Sequence, residues 1–383
     1  MPKSHKEKVL VAMSGGVDSS VAAALLVQKG YNVTGVFMVN YNHENDSSLQ
    51  GVVPPSGTKP CWLPDYYDAL RVAAKLGIPL LRWDFEKEYR QDVLGYMFKE
   101  YEAGRTPNPD VLCNKYIKFG RALKEAKKMG FDYLATGHYA KTRRLKDYKI
   151  KLMEAKDKNK DQTYFLHQLT QEQLKHVMFP IGNYTKPEVR KLAKKFDLPT
   201  ATKEESMGIC FIGEVPMDQF LKQRIKEKPG NIIMNGKIVG RHQGLAFYTI
   251  GQRVGVKFPI SNLQFPINSQ STNSKPIFVA DKDIKTNTLV VVYEGDPLLY
   301  KKEAAVSKIN WISGHLPKFP LKCQVRLRHR QPLQNCAVDN LLSKVQSPKS
   351  IVRFANPQRA ITPGQFAVFY KNGECLGGGV VSA

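Results

Sequence analysis

The amino-acid sequence predicts an α/β protein built from three units. They are a Rossmann-like parallel sheet with covering helices over residues 1–213, a small central domain over residues 214–275 and an antiparallel β-barrel over residues 276–383. In the first unit, short β-branched runs alternate with helix-period segments, which is typical of repeated βα units around a parallel sheet. After residue 276 only short β-runs occur, and a barrel is the natural closure for so many strands.

The first strand is the apolar run KVLVAM, and a helix follows it in which Val17, Val21 and Leu25 share one face. Gly30 and Gly77 supply left-handed stops at the ends of the first two helices. Between the second strand and the next helix, the polar stretch NYNHENDSSLQGVVPPSGTKP is rich in turn formers. We expect a mobile loop there.

Two later helices complete the first unit. Phe119, Ala122 and Ala126 recur at helical spacing just before the β-run DYLATGHY. In YTKPEVRKLAKKFDLP, Thr185 and Glu188 have the spacing of a capping box, which predicts that a helix begins at this point.

The composition changes after Gly213, where a basic region begins. It holds the hairpin signal NIIMNGKIVG and the glycine-rich GLAFYTIGQRVG, and the polar segment NLQFPINSQSTNSKP reads as a linker. The predicted barrel strands that follow are IFVADKD, TLVVVYEG, CQVRLRHR, SIVRFA and GQFAVFYKNGECLGGGVV.

The chain carries 58 lysines and arginines against 34 acidic residues, a formal net charge of +24 that is spread over its whole length. Such a surface favours a polyanion, because each neutralised phosphate releases condensed counterions. Nucleic acid is the leading partner, and a generally basic protein without a nucleic-acid role is the alternative. The sequence has no apolar run long enough to span a bilayer, and its N-terminus lacks a secretory signal, so we expect no membrane role.

The six cysteines are scattered singly, without a CxxC pair. This pattern matches neither a disulfide framework nor a zinc ribbon, and it implies a reducing compartment.

The stretch AMSGGVDSSV, between the first strand and the first helix, predicts an anion site. Backbone N–H groups, glycines that permit close approach and the positive end of the helix dipole surround one point there. A Walker A lysine and a GxGxxG spacing are both missing, so neither a P-loop nor a dinucleotide fingerprint is present. The candidate phosphate-binding residues of this loop are Ala12, Met13, Ser14, Gly15, Gly16, Val17, Asp18, Ser19 and Ser20.

SGGVDSS resembles the pyrophosphate loop of the ATP pyrophosphatases, which cleave ATP between the α and β phosphates and adenylate a carbonyl oxygen. The resemblance implies that Asp18 orients Mg²⁺ on the pyrophosphate. It also implies that Met38 and Gly137 line the adenosine pocket.

Two cysteines are candidate nucleophiles. GRTPNPDVLCNKYIKFG is predicted to be a rigid loop with two prolines that presents Asp110 and Cys113 just before a helix. Lys115 and Lys118 are close to Cys113, and such an environment near a helix N-terminus favours a thiolate. Cys210 lies between the glycine-bearing turns of ESMGICFIG. Taken alone, a cysteine of this kind is more often a small buried hydrophobic residue than a nucleophile.

The whole chain resembles the tRNA-specific 2-thiouridylase family. The matching pieces are AMSGGVDSS, GVFM, GRTPNPDVLCNKYIKF, DYLATGHYA, KDQTYFL, MGICFIG, RHQGLAFYTIGQRVG, VADKD and TPGQFAVFY. The resemblance implies that ATP adenylates O2 of the wobble uridine of tRNA, that sulfur then replaces this oxygen, and that AMP and pyrophosphate leave. It further implies tRNAs for Lys, Glu and Gln as substrates, a persulfide donor fed by a cysteine desulfurase relay, Mg²⁺ with the ATP, and a monomer.

The family's residue roles carry over position by position. Cys113 is implied as the catalytic nucleophile and Cys210 as the persulfide carrier, with a transient disulfide between them, and Asp110 is implied as the acid-base group. The residues implied to contact tRNA are Asn108, Pro109, Asp110, His138, Lys160, Asp161, Gln162, Arg328, His329 and Gln365.

Some alternatives stay open on the sequence. The loop after GVFM lacks the tryptophan common in relatives, and the linker lacks their usual glycine-rich segment, which leaves loop geometry and the sulfur-donor contact undetermined. Three N-terminal cysteines including Cys61 could hold an iron-sulfur cluster. A C–N bond-forming ligase or amidotransferase of the same loop class is the alternative function. The motifs are closest to the mitochondrial branch, with a bacterial cytoplasm as the other location.

Overall fold

The computed structural model describes residues 6–42, 60–147, 149–204, 217–254, 275–341 and 349–382. Among these residues, no helix is both long enough and apolar enough to cross a membrane.

The α-helices are short, and two helical runs contain a π-helical segment. The α-helices are α1 Val17–Gln28, α2 Leu63–Leu76, α3 Glu86–Tyr89, α4 Gly95–Glu102, α5 Pro109–Leu112, α6 Leu123–Lys128, α7 Thr163–Leu166, α8 Gln171–Leu174, α9 Lys186–Lys195 and α10 Met217–Lys222. The π-helices are Arg90–Leu94, which joins α3 to α4, and Cys113–Ala122, which joins α5 to α6. Short 3₁₀ turns cover Leu245–Phe247 and Pro297–Leu299.

The first sheet is parallel, as predicted, and has the strand order β3-β2-β1-β4-β7. Its strands are β1 Lys8–Ala12, β2 Asn32–Val39, β3 Leu80–Asp84, β4 Tyr133–Thr136 and β7 Val177–Met178. Side chains alternate along β1. Val9 and Val11 pack with α1, whereas Leu10 faces the opposite core with the helical runs.

Local signals in the first unit give the predicted elements. Gly77 ends α2 in the left-handed conformation with φ 65°. Thr185 caps α9, and both hydrogen bonds of the capping box with Glu188 are present.

The middle unit is a four-stranded sheet of order β10-β11-β8-β9. Its strands are β8 Gly230–Met234, β9 Lys237–His242, β10 Ile277–Asp283 and β11 Thr288–Tyr293. The predicted β8–β9 hairpin is confirmed, and Asn235 and Gly236 take positive φ angles of 51° and 75° at its turn.

Six C-terminal strands form the antiparallel barrel, in the order β12-β15-β14-β13-β16-β17, and pairing of β12 with β17 closes it. They are β12 Tyr300–Trp311, β13 Leu321–Arg326, β14 Gln334–Leu341, β15 Lys349–Arg359, β16 Phe366–Lys371 and β17 Glu374–Val381. A hairpin from the first unit, β5 Ala140–Arg144 and β6 Ile150–Glu154, extends this sheet by pairing with β17.

Two features of the domain organisation differ from the sequence expectation. IFVADKD and TLVVVYEG were expected in the barrel, but β10 and β11 belong to the middle sheet because β11 pairs with β8. The hairpin 140–154 was expected within the first unit. Its pairing with β17 joins residues far apart in sequence, Cys375 opposite Leu152, which no local pattern encodes.

Candidate active site

The carboxyl ends of the parallel strands bring the predicted ATP-site residues to one edge of the first sheet. β1 ends at Ala12 between β2, which ends at Val39, and β4, which ends at Thr136. The loop 13–16, Met38 and Gly137 therefore lie at the same edge. Open α/β sheets hold their ligands in this position.

The loop has the backbone of an anion site. Gly15 has φ +73°, and a Cβ there would lie 2.2 Å from the Asp65 carbonyl oxygen, so only glycine fits against α2. Gly16 is the N-cap of α1, and no side chain caps the helix. The first amide groups of α1 therefore remain available to an anion, which the helix dipole also favours.

The serine hydroxyls divide into two roles. Ser19 Oγ and Ser20 Oγ donate to the Gly16 carbonyl over 3.1 and 2.8 Å, and the Ser14 amide donates to Ser19 Oγ over 3.2 Å. Ser19 and Ser20 are buried, whereas Ser14 is exposed. Ser19 and Ser20 thus hold the shape of the loop, and Ser14 is the hydroxyl that faces solvent.

The Asp18 carboxylate binds two residues that were not predicted from the sequence to belong to the site. Lys186 Nζ lies 2.8 Å from both carboxylate oxygens of Asp18, and the Tyr139 hydroxyl donates to Oδ1 over 2.9 Å. The Lys186 side chain is 12 % exposed and the Asp18 side chain is 32 % exposed, so the pair is partly shielded from solvent screening. A cation already occupies the carboxylate that was predicted to orient Mg²⁺, and this arrangement does not fit Asp18 as a protein-held metal ligand.

A second unpredicted lysine ties the loop to its surroundings. Lys203 Nζ donates to the Gly15 carbonyl over 3.1 Å and to Asp65 Oδ1 over 2.6 Å, and it also pairs with Asp68. Lys203 comes shortly before Cys210 in sequence. Its contacts hold Lys203 itself beside the phosphate loop.

Gly137 permits a close approach of β4 to α1. A Cβ there would lie 2.6 Å from the Ser19 amide nitrogen and 2.8 Å from the Asp18 carbonyl carbon. Met38, at the end of β2, is only 6 % exposed and packs in the core. Both residues lie at the predicted edge, and Gly137 contributes through the absence of a side chain.

Cys113 lies in the first turns of the helical run 109–128. Asn108 caps this run, since its Oδ1 accepts from the Val111 amide over 3.4 Å, and Pro109 stands at its first position. The run leads into β4, and a helix that precedes a parallel strand runs antiparallel to it. Its first turns therefore lie near the carboxyl edge, where the phosphate loop is. Cys113 begins the π-helical segment and is fully buried.

The structure describes some of the residues with a predicted catalytic role and not others. Asp110 lies half-buried in the first turn of α5, one turn before Cys113. Cys210 lies outside the described residues. Lys115 donates to Gln168 Oε1 over 3.1 Å, and burial lowers its pKa.

Asp161 is a structural residue in this fold. It is 1 % exposed, and its carboxylate accepts hydrogen bonds from the Ala155 amide, the Thr163 hydroxyl and Arg326 over 2.9, 2.6 and 3.1 Å. Arg326 also reaches Glu154 over 3.2 Å, so this network joins the barrel to the first unit. A direct contact of the Asp161 side chain with tRNA does not fit this burial.

His138 differs from its predicted role in the same way. It is 8 % exposed, its Nδ1 lies 2.8 Å from the Thr136 hydroxyl, and its ring packs against Phe119 and Phe179. Burial first, and the charge of Lys118 second, hold the pKa of His138 well below its usual value. A neutral, enclosed imidazole supports the residues around it and does not offer a surface contact.

The remaining predicted tRNA residues are accessible to different degrees. Arg328 is exposed, with Nη2 donating to the Ala360 carbonyl over 2.7 Å. The His329 ring packs against Phe165 in a tilted arrangement with ring centroids 4.4 Å apart, and burial lowers the pKa of His329 to about 4. Lys160 and Gln162 are half-buried, and Gln162 Oε1 accepts from the Tyr139 amide over 2.9 Å.

Gln365 is half-buried, and its side-chain amide contacts protein. Its Nε2 donates to the Thr106 and Pro107 carbonyls over 3.0 and 3.2 Å, directly before the cap of the helical run that holds Cys113. Sequence spacing could not reveal this contact, because the partners are more than 250 residues apart.

The other described cysteines lie away from the phosphate loop or carry no metal-site geometry. Cys323 and Cys336 face each other across β13 and β14 with their sulfurs 3.6 Å apart, a pairing hidden by their sequence separation. Cys61 lies 3.8 Å from the Tyr41 carbonyl. Across the described ranges, no three His, Cys, Asp or Glu side chains are grouped to hold a metal ion.

Comparisons with known proteins cover the chain from end to end. Three family models match: "tRNA methyl transferase HUP domain" over residues 7–214, "tRNA methyl transferase PRC-barrel domain" over residues 218–293 and "Aminomethyltransferase beta-barrel domain" over residues 301–381. A solved structure, that of a 4-thiouridine synthetase–RNA complex with bound ATP, shows a distant likeness at 18% identity and a TM-score of 0.33. The match covers 57% of this chain and 50% of that one.

Curated relatives match over nearly their whole length. The tRNA-specific 2-thiouridylase MnmA 2 of Aliarcobacter butzleri is 44% identical over 378 residues, which cover 98% of each chain. The tRNA-specific 2-thiouridylase MnmA of Geobacillus thermodenitrificans is 43% identical over 380 residues, 98% of this chain and 95% of the relative. Together with the geometry of the phosphate loop and the helix of Cys113, these matches place the chain in the tRNA-specific 2-thiouridylase family.

Proposed function

We propose that this protein is an ATP-dependent sulfurtransferase that converts the wobble uridine of tRNA to 2-thiouridine. The observation that carries the proposal is the position of two features at one sheet edge. The uncapped amide groups of α1 offer a phosphate site, and the helical run with Cys113 begins beside the same edge. Relatives named as thiouridylases over 98% of the chain support the assignment.

The first step needs the phosphate loop. O2 of the uridine attacks the α-phosphorus of ATP, pyrophosphate leaves, and O2 becomes part of an AMP ester. The amide groups of α1 and the hydroxyl of Ser14 stabilise the charge that develops on the departing pyrophosphate. Gly15 and Gly137 keep this loop and its neighbouring strand close enough to enclose it.

The second step needs two sulfur atoms that belong to the protein. The terminal sulfur of a persulfide on Cys210 attacks C2 of the activated base, and AMP leaves with the oxygen. The Cys113 thiolate then attacks the Cys210 sulfur, which breaks the persulfide S–S bond. 2-Thiouridine is released, and a Cys113–Cys210 disulfide remains. A dithiol reductant returns both thiols for the next turnover.

Asp110 is proposed to handle the proton at the N3 and O2 edge of the base, and Asn108 and Pro109 to contact that base. Mg²⁺ accompanies ATP, yet the described residues supply no carboxylate cluster for it, and Asp18 is neutralised by Lys186. We therefore assign the ion to the phosphates and not to a protein ligand.

Several finer features remain proposals from the family resemblance. The net charge of +24 and the exposed Arg328 support a tRNA surface that includes Lys160 and His329. We further propose tRNAs for Lys, Glu and Gln as substrates, a cysteine desulfurase relay as sulfur source and a monomer. Mitochondrial residence stays a prediction.

The test is nucleoside mass spectrometry on unthiolated tRNA incubated with the protein, ATP, Mg²⁺, a low-molecular-weight persulfide and a dithiol. We expect 2-thiouridine with the unchanged protein and with Cys323→Ala, a matched cysteine in the barrel. We expect none with Cys113→Ser or Cys210→Ser, while tRNA binding persists. Full product in both of these variants would refute the thiol chemistry.

The same incubation separates the C–N ligase alternative. That function predicts AMP release without thiouridine and a product that depends on ammonia or glutamine. The names of the relatives do not favour it.

A further inference from the structure

One barrel turn holds the chain just before the catalytic helix. The turn 362–365 connects β15 to β16, and the segment Thr106–Pro107 precedes the Asn108 cap by one residue. Both Thr106 and Pro107 are buried. The contact between this turn and the segment Thr106–Pro107 connects the barrel to the helical run that holds Cys113.

Every main-chain hydrogen-bonding group of Thr106–Pro107 is satisfied by this turn, within the part of the chain that the structure describes. The Thr106 amide donates to the Pro363 carbonyl over 2.9 Å. The Thr106 and Pro107 carbonyls accept the two hydrogens of the Gln365 side-chain amide, over 3.0 and 3.2 Å, and proline has no N–H to place.

Gly364 makes this approach possible. Its φ is +93°, and a Cβ would lie 2.9 Å from the Thr106 nitrogen and 3.0 Å from the Thr106 carbonyl carbon and oxygen. Each of these is a backbone atom that cannot rotate away. Any side chain at position 364 would push Thr106 and the cap after it.

The turn itself is fixed to the barrel and to the middle unit. The Gly364 amide donates to the Val381 carbonyl over 3.0 Å, and the Val381 amide donates to the Gln365 carbonyl over 2.8 Å. Thr106 Oγ1 lies 3.2 Å from Thr249 Oγ1, so all three units meet at this residue. Arg328, exposed on the barrel, donates to Thr362 Oγ1 over 3.1 Å.

We propose that Gln365 is a positioning residue for the Cys113 nucleophile, acting through the Thr106 and Pro107 carbonyls, and that Gly364 is required for this contact. The catalytic role of Cys113 in this proposal rests on the proposed function, whereas the contact of Gln365 with the Thr106 and Pro107 carbonyls does not. A residue that only touched tRNA would have no reason to place both amide hydrogens on the catalytic segment.

The experiment measures the rate at which iodoacetamide alkylates Cys113, read from the Cys113 peptide by mass spectrometry in the absence of tRNA and ATP. Cys113 is 0 % exposed, so the unchanged protein reacts slowly. Gln365→Met removes both donors, and Gly364→Ala displaces the turn. Each should raise the alkylation rate on the order of tenfold, as expected for the loss of about two hydrogen bonds from a buried segment.

Gly295→Ala is the matched control. Gly295 also has a positive φ, +88°, but no atom lies within 4 Å of its Cβ position, so alanine adds similar backbone strain without touching residue 106. Its alkylation rate should stay within about twofold of the unchanged protein. An equal rise in this control would overturn the proposal, because the effect would then be general loosening.

Kinetics add a second readout. We expect the two turn variants to lower kcat for thiolation with little change in KM for tRNA, since the substrate contacts remain. Unchanged alkylation together with a raised KM would instead assign Gln365 to RNA contact alone and sink the positioning role. If the unchanged protein makes no thiouridine but the alkylation pattern holds, the proposed function fails and the positioning role stands. Should Gly364→Ala not fold, Gln365→Met decides the matter.

Discussion

Replacing Arg326 with methionine should destabilise the protein far more than the same change at Arg353. Both arginines lie on barrel strands, and each bridges two carboxylates: Arg326 binds Glu154 and Asp161, and Arg353 binds Glu303 and Asp339. They differ in burial, because Arg326 is 9 % exposed and Arg353 is 52 % exposed along the side chain.

The magnitude follows from the distances. At 3.1 and 3.2 Å, each carboxylate attracts the Arg326 guanidinium by about 5 kcal/mol gross at an effective dielectric constant near 20. Desolvation of the arginine offsets much of this attraction. Methionine leaves the buried Asp161 carboxylate without its cation, whereas Glu154 keeps its ion pair with Lys158, and the net loss is about 3–5 kcal/mol. The exposed Arg353 pairs should contribute about 0–1 kcal/mol.

The loss should also depend on pH. Burial already raises the pKa of Asp161, and removal of Arg326 raises it further. A carboxyl group whose pKa is higher in the folded than in the unfolded state lowers the stability of the fold as pH rises toward the folded-state pKa. The deficit of Arg326→Met is therefore largest near neutral pH and shrinks in acid as Asp161 becomes protonated.

Differential scanning calorimetry of both variants and the unchanged protein, near neutral pH and in mild acid, measures the change in Tm. We expect Tm to fall by several degrees in Arg326→Met and by about a degree or less in Arg353→Met. Equal shifts, or a deficit in Arg326→Met that stays constant with pH, would refute the reasoning.

Three further outcomes are expected. Burial lowers the pKa of His167 to about 4 from 6.5, so its neutral form stabilises the fold above about pH 6.5, and this contribution is lost as pH falls toward 4. At pH 5 the free energy of unfolding is lower by about 2 kcal/mol for this reason. Between neutral pH and pH 5, the Tm of His167→Gln should therefore fall less than the Tm of the unchanged protein, and an equal fall in both would contradict this. Gly137→Ala should weaken ATP binding about tenfold, measured by titration calorimetry, because its Cβ would meet the backbone of α1. Gly95→Ala is the control, since the nearest atom to its Cβ position is 3.4 Å away, and it should leave ATP binding unchanged. Equal ATP affinities in the two variants would contradict the close approach of Gly137 to α1. Lys203→Met should weaken ATP binding several-fold by releasing the Gly15 carbonyl, and an unchanged Kd would remove the lysine from the loop's support.

Local patterns allowed the phosphate loop, the capping box of α9 and the turn at Asn235–Gly236 to be predicted from the sequence. In each case the residues that determine the conformation lie within a few positions of each other, and their backbone requirements are specific. A helix was expected to follow Cys113, but it already begins at Pro109 after the Asn108 cap, so Asp110 and Cys113 lie within the helical run and not in the loop before it.

The remaining site features depend on contacts between distant segments. Lys203 reaches Gly15 across 188 residues, and Gln365 reaches Thr106 across 259. A surface lysine and a barrel glutamine carry no sequence mark of such partners. The burial of Asp161 likewise depends on an arginine 165 residues later, which is why a residue expected on the RNA surface belongs to the interior.

The β5–β6 hairpin has a consequence for how the chain can be divided. The family models cut it into consecutive pieces, but residues 140–154 sit on the sheet of the C-terminal piece. A fragment ending near residue 213 would present this hairpin as an uncovered edge, open to aggregation, and a fragment starting near residue 300 would lack its last two strands. Separate expression of the barrel, or its exchange with that of a relative, therefore has to include the hairpin together with the barrel.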